Sequence, residues 1–150
     1  MYESILVPTD GSALSDAAIR EAAKLAKELG SKLVLFYAVP YYYYPLPPLT
    51  KFAPPDSPKN DEQAKKAMED DAKQVLAYAA EISTLAGLNV EQKFAVNNSP
   101  YAAILDAVEK FRCELIVMAS HGRRGLSSVL LGSETQKVLT HSTVPVLVVR

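Results

Sequence analysis

The stretch ELIVMASHGRRGLSSVLLGSET, residues 114–135, carries the pattern on which the rest of the chain turns. Glu114–Ser120 is nearly all apolar and stops abruptly, as a strand buried on both faces does. Glycines, serines and two arginines follow. Gly132-Ser133 then opens Ser133–His141, which reads as a short helix. A buried strand that enters a helix through a glycine-rich turn is one unit of a parallel α/β sheet.

Working outward, the same unit recurs. VPVLVV (Val144–Val149) follows as a last strand. Near the start, SILVP (Ser4–Pro8) is a short apolar strand ending in the turn cluster TDGS, and Ser12 is placed to cap the next helix. That helix runs from Ala13 to Leu29, with Leu14, Ala17, Ala18, Ala22, Leu25, Ala26 and Leu29 at helical spacing and Gly30 as the stop. KLVLFYAV (Lys32–Val39) is a second buried strand. Residues 40–58 hold seven prolines and four consecutive tyrosines, Tyr41–Tyr44, and read as a loop with a lid or partner-binding role as one option. From Asn60 to about Ala86 an amphipathic helix is expected, stopped by Gly87. Asn89–Val96 alternates like a strand. Ser99-Pro100 then reads as a cap and first-turn proline, ahead of a helix whose stripe is Ile104, Leu105, Val108 and Phe111.

Strict alternation of five strands and four helices implies one domain, residues 1–150, with a parallel sheet covered on both faces. Right-handed crossovers leave two natural strand orders, 2-1-3-4-5 and 3-2-1-4-5. Both put a ligand crevice at the carboxyl ends of central strands, where the winding reverses.

Composition excludes several classes. The chain has 150 residues, 49% of them apolar, and a formal charge of −1. That balance gives no electrostatic footprint for nucleic acid or an anionic membrane. No apolar run approaches the roughly 18 residues of a membrane span. MYESILVPTDGS enters a strand without the basic and apolar regions of a signal peptide. The single cysteine, Cys113, suits a reducing, cytoplasmic setting and reads as a buried structural thiol. The two histidines and Cys113 are too scattered for a metal site.

The chemistry concentrates at strand ends. A helix N-terminus offers unpaired N–H groups and about half a positive charge, and glycines let phosphate oxygens approach that backbone. Gly122, Gly125, Gly132 and Ser133 supply this after the fourth strand, with Arg123 and Arg124 adding charge. Ser133 is expected both to cap the helix and to donate to a phosphate. Ser120 and His121 are neighbours at a strand end. Such side chains usually point apart, so a nucleophile–base pair is not expected and His121 is assigned to phosphate or loop contact. Neither GxxxxGK[ST] nor GxGxxG occurs.

The chain resembles the universal stress protein family, whose phosphate signature is Gly, two residues, Gly, nine residues, Gly, then Ser or Thr. Here Gly122 is the second glycine, 123–131 fill the gap, and Gly132-Ser133 complete it, while Ala119 replaces the first glycine. VPTDGS, ASHGRRG, LLGSET and the terminal VPVLVV extend the resemblance over the whole chain. It implies an adenine nucleotide alpha hydrolase-like fold with strand order 3-2-1-4-5 and a cytoplasmic stress-response role. It also implies a homodimer through Val144–Val149 and, in one subgroup, bound ATP, with Mg2+ as an accompanying ion. By that resemblance Asp10 contacts ribose beside Pro8 and Thr9, and Ala38 offers backbone to adenine. Ala119, His121, Gly122, Arg123, Gly132, Ser133 and the amide of Glu134 surround the phosphates. The Glu134 carboxylate opposes a phosphate unless its side chain turns away. Turnover is expected to be slow or absent, because no motif places a water-positioning base. Two other readings compete: a dimeric interaction protein of this fold that binds no nucleotide, and an ATP-using enzyme, which would need an SGGxDS or HIGH motif that is absent.

Overall fold

The computed structural model describes residues 1–41, 60–84, 87–88, 90–122 and 131–150. The elements are β1 (Ser4–Pro8), α1 (Ala13–Leu29), β2 (Lys32–Val39), α2 (Asp61–Thr84), β3 (Val90–Val96), α3 (Pro100–Phe111), β4 (Leu115–Ala119), α4 (Ser133–His141) and β5 (Val146–Val149). All strand pairings are parallel, in the order β3-β2-β1-β4-β5, which is the one of the two natural orders that the family resemblance implies. The expectations for Tyr42–Tyr44 and the rest of the loop to Pro58, and for Arg123, Arg124 and Gly125, lie outside the described residues.

Side chains alternate across the central strands, and each set enters a different core. Ile5 and Val7 of β1, Leu33, Leu35 and Tyr37 of β2, and Leu115 and Val117 of β4 pack with α1 and α2. Leu6, Val34, Phe36, Ile116 and Met118 face the other way, against Ala103, Ile104, Ala107 and Val108 of α3 and Val138 of α4. Burial on both faces is why these strands read as unbroken apolar runs. Each fully buried aliphatic side chain contributes about 1.5–3 kcal/mol.

Local chemistry sets the helix ends. Ser12 Oγ accepts from the Ser15 amide at 3.3 Å at the start of α1, and Gly30 closes that helix with a left-handed φ of 69°. Asn60 Oδ1 accepts from Gln63 N–H at 2.8 Å at the start of α2. The buried stripe of α1 differs from the expected one. Leu14 and Leu29 are exposed, and Ala18, Ile19, Ala22, Ala23 and Ala26 face the sheet. Small residues let the helix axis lie close to the strands, so the larger leucines fall on the rim. In α3 likewise, Ala103 and Ala107 join Ile104 and Val108 inside, while Leu105 and Phe111 are only partly buried.

Ser99 occupies the N-cap position of α3, but its side chain makes no capping bond. β5 begins at Val146 rather than Val144, because Ser142 and Val144 form a local turn through the Ser142 hydroxyl. Cys113 is buried, 3.5 Å from Ser4 Oγ, and burial pushes its thiol pKa up. A thiol so placed is a poor nucleophile at neutral pH.

Candidate functional site

Helices α1 and α2 cover one face and α3 and α4 the other, so the chain leaves β1 toward one face and β4 toward the opposite one. The carboxyl ends of β1 and β4 therefore flank the point where the winding reverses. Two loops meet there.

The first follows β1. Thr9 N–H extends the ladder to Phe36 O at 2.8 Å. Thr9 Oγ1 accepts from Gly11 N–H at 3.1 Å and shares a 3.0 Å hydrogen bond with Ser15 Oγ. Ser15 Oγ also donates to Ser12 O at 2.8 Å. Thr9 and Ser15 are buried, so these hydroxyls fix the turn from inside. Asp10 stands on this base, with Oδ1 accepting the Ser12 amide at 2.9 Å.

The second loop joins β4 to α4. Gly132 N–H donates to Ser120 O at 2.8 Å, and Thr135 Oγ1 donates to Ala119 O at 3.0 Å. These two bonds seat the start of α4 on the end of β4. Gly132, not Ser133, is the N-cap, so Ser133 is the first helical residue and its hydroxyl does not cap. The ladder of α4 begins with Gln136 N–H to Gly132 O at 3.0 Å. The amides of Ser133, Glu134 and Thr135 precede that bond and carry the positive end of the helix dipole.

The loops touch through a glycine. A Cβ on Gly122 would lie 2.6 Å from Asp10 Oδ2, so the acidic loop and the glycine loop approach at a distance that no side chain permits. A Cβ on Gly132 would lie 3.2 Å from Ser120 O and 3.3 Å from His121 Cα. Ala119 has no left-handed backbone angle, so alanine takes the place of the signature's first glycine without strain.

The Glu134 carboxylate is turned onto α3 and Lys137. Oε2 accepts from Tyr101 N–H, at the start of α3, at 2.8 Å, and Oε1 pairs with Lys137 Nζ at 2.9 Å. The carboxylate thus supplies the capping bond that Ser99 does not make. Lys137 Nζ also lies 5.3 Å from the centroid of the Tyr101 ring, and the His141 ring packs 5.6 Å from the same centroid.

Ser120 and His121 overturn the expectation that they point apart. Ser120 Oγ and His121 Nδ1 share a 3.0 Å hydrogen bond, because the strand has ended and the chain is already turning. His121 Nε2 is buried and has no hydrogen-bond partner among the described residues. The proposed positions Asp10, Ala119, His121, Gly122, Gly132, Ser133 and Glu134 lie on these two loops, at the end of β4 or in the first turn of α4. Pro8 pairs with Phe36, and Ala38 is two residues further along β2, past the end of β1. Ser15, Thr135, Tyr101 and Lys137 were not singled out by the sequence. The first two share a legible signal: each hydroxyl residue stands three positions after its helix N-cap.

A depression of about 270 Å³ lies between α3 and strands β2 and β3, lined by Phe36, Phe94, Asp106, Lys110 and Phe111 among others. Among the described residues no group of three or more His, Cys, Asp or Glu side chains forms a metal site, and no helix is long and apolar enough to cross a membrane.

The model of the universal stress protein family matches residues 1–150. Universal stress protein YxiE of Bacillus subtilis is 32% identical over 150 residues, covering 100% of both chains. The crystal structure of a universal stress protein in complex with cAMP superimposes with a TM-score of 0.71 at 26% identity, over 99% of this chain and 97% of that one. The structure of the Archaeoglobus fulgidus universal stress protein in complex with dAMP gives a TM-score of 0.66 at 21% identity, over 99% and 98% of the two chains, and supports the fold.

Proposed function

The chain belongs to the universal stress protein family, and from that premise we propose that it binds an adenine nucleotide between the carboxyl ends of β1 and β4 and serves as a stress-response regulator. The observation that carries this reading is the approach of Gly122 to Asp10, with a Cβ position only 2.6 Å from the carboxylate oxygen. It supports a single site in which Asp10 would meet the ribose and Gly122 would make room for the phosphates. The relative crystallised with cAMP supports an adenine nucleotide as the ligand class.

In this reading each group has a task. The Asp10 carboxylate accepts from a ribose hydroxyl, with Pro8 and Thr9 shaping the floor. Ala38 offers backbone to adenine. The amides of Ser133 and Glu134 stabilise phosphate through the dipole of α4, with Gly122 and Gly132 clearing the approach. Ala119 ends β4, and His121 Nε2, buried and without a hydrogen-bond partner among the described residues, is available to a phosphate oxygen. Arg123, next in sequence to Gly122, would add positive charge. ATP is the fullest ligand such a cradle takes, and Mg2+ would arrive on its phosphates. The protein holds the nucleotide rather than turning it over, since one carboxylate oxygen of Asp10 is occupied by Ser12 and Glu134 is engaged by α3. Different loop populations in the bound and free states would then be read by a protein partner. We also place a homodimer at Val144–Val149 and the protein in the cytoplasm.

The test is a melting experiment on nucleotide-stripped protein with magnesium present. Ligand at about 100 times Kd stabilises by roughly 2.7 kcal/mol. For a domain of this size the expected rise in Tm is about 5–10 °C. No shift with ATP, ADP, AMP or cAMP overturns the reading in favour of the interaction protein. Turnover faster than about 1 s⁻¹ would make it an enzyme.

A further inference from the structure

We propose that Lys137 is a specificity-determining residue of the nucleotide site, acting by charge balance: it neutralises Glu134 so that the first turn of α4 accepts an anionic phosphate chain. This inference rests on the nucleotide reading above and deepens it.

Glu134 is the second residue of α4, in the first turn, whose amides precede the helical hydrogen-bond ladder. A carboxylate there is stabilised by the same helix dipole that would hold a phosphate, and its charge repels one. The structure turns the side chain toward α3 and engages both oxygens, Oε2 with Tyr101 N–H at 2.8 Å and Oε1 with Lys137 Nζ at 2.9 Å. The first contact orients the carboxylate. Only the second cancels its charge. Lys137 is positioned for this by helical spacing, three residues on, and by the Tyr101 ring beneath its ammonium group at 5.3 Å. The pair also explains how a glutamate is tolerated beside a phosphate cradle.

Lys137 is half-exposed, at 48% of its side-chain surface, so it can be replaced without opening the core. Lys137→Met keeps the aliphatic stem on the Tyr101 ring and removes the charge. Calorimetric titration at low ionic strength should show ATP binding weakened about two- to five-fold, the range of an exposed ion pair. AMP should lose less and adenosine nothing. Glu134→Gln in the Lys137→Met background should restore ATP binding, because the amide oxygen still accepts from Tyr101 and no charge remains to balance. Added salt should erase the difference between wild type and Lys137→Met. An equal loss for adenosine, AMP and ATP would show a disturbed helix and overturn the inference. So would unchanged ATP binding, or a double variant no better than Lys137→Met. If wild type binds ATP normally in that case, the nucleotide reading stands and only this inference fails. A wild type that binds none of the three ligands overturns both.

Discussion

Gly122 is glycine for space rather than for backbone angle, since its φ is not in the left-handed region. The atom that a methyl group would meet, Asp10 Oδ2, is the far end of a flexible side chain. Gly122→Ala should therefore displace Asp10 instead of unfolding the protein. Nucleotide affinity is expected to fall about tenfold or more, the worth of a hydrogen bond to a charged group, with stability changed by less than about 1 kcal/mol. Asp10→Ala should give a similar loss, and the double variant should be no worse than either single one. Additive losses by calorimetry would show that Asp10 is not what Gly122 makes room for. Gly132 poses a different problem, because its neighbours at 3.2 and 3.3 Å are backbone atoms of Ser120 and His121. Gly132→Val must shift the chain itself, so it should lower stability by about 1–3 kcal/mol as well as abolish binding.

At the scale of the element, β3 shows how an edge strand is kept from open pairing. Glu91 on β3 pairs with Lys32 of β2 at 2.6 Å and with Lys93 at 3.6 Å, which lines the edge with charge. The hydrogen bond from Lys32 holds the Glu91 carboxyl below its ordinary pKa. A group whose pKa is lowered by folding stabilises the fold above its unfolded value, about 4.3 for glutamate, and loses that contribution as pH falls through the folded value. Wild type should thus exceed Glu91→Gln in stability at pH 7, and the gap should close in acid. Urea titrations at pH 7 and pH 3 measure it, and a gap that persists at pH 3 would assign the effect to packing. Helices α3 and α4 are tied by a comparable device, since a carboxylate from one caps the other. No pattern within α3 discloses that, because Ser99-Pro100 looks like a complete cap by itself.

At the scale of the molecule, β5 ends the sheet opposite β3, without β3's charges and with Leu147 43% exposed. An apolar edge of this kind favours antiparallel pairing with a second copy. The protein is expected to sediment as a dimer at micromolar concentration, and Leu147→Lys should give a folded monomer, since that side chain leaves the core intact. Wild-type protein that stays monomeric at high micromolar concentration would rule out the homodimer.

The sequence by itself determined the elements. β1, α1, β2 and α4 lie on the residues that apolar runs, the capping Ser12 and flanking glycines marked, because burial on two faces and helix ends are written in adjacent residues. It also marked Asp10, Gly122 and Gly132, through a resemblance carried by their spacing. Alternation and handedness left two strand orders open; the family resemblance pointed to 3-2-1-4-5, and the structure has β3-β2-β1-β4-β5. Tertiary structure alone set Asp10 against Gly122 and turned Glu134 onto Tyr101, a residue 33 positions away. Such contacts have no local signature, because they join residues that meet only after the sheet has fixed which loops lie side by side.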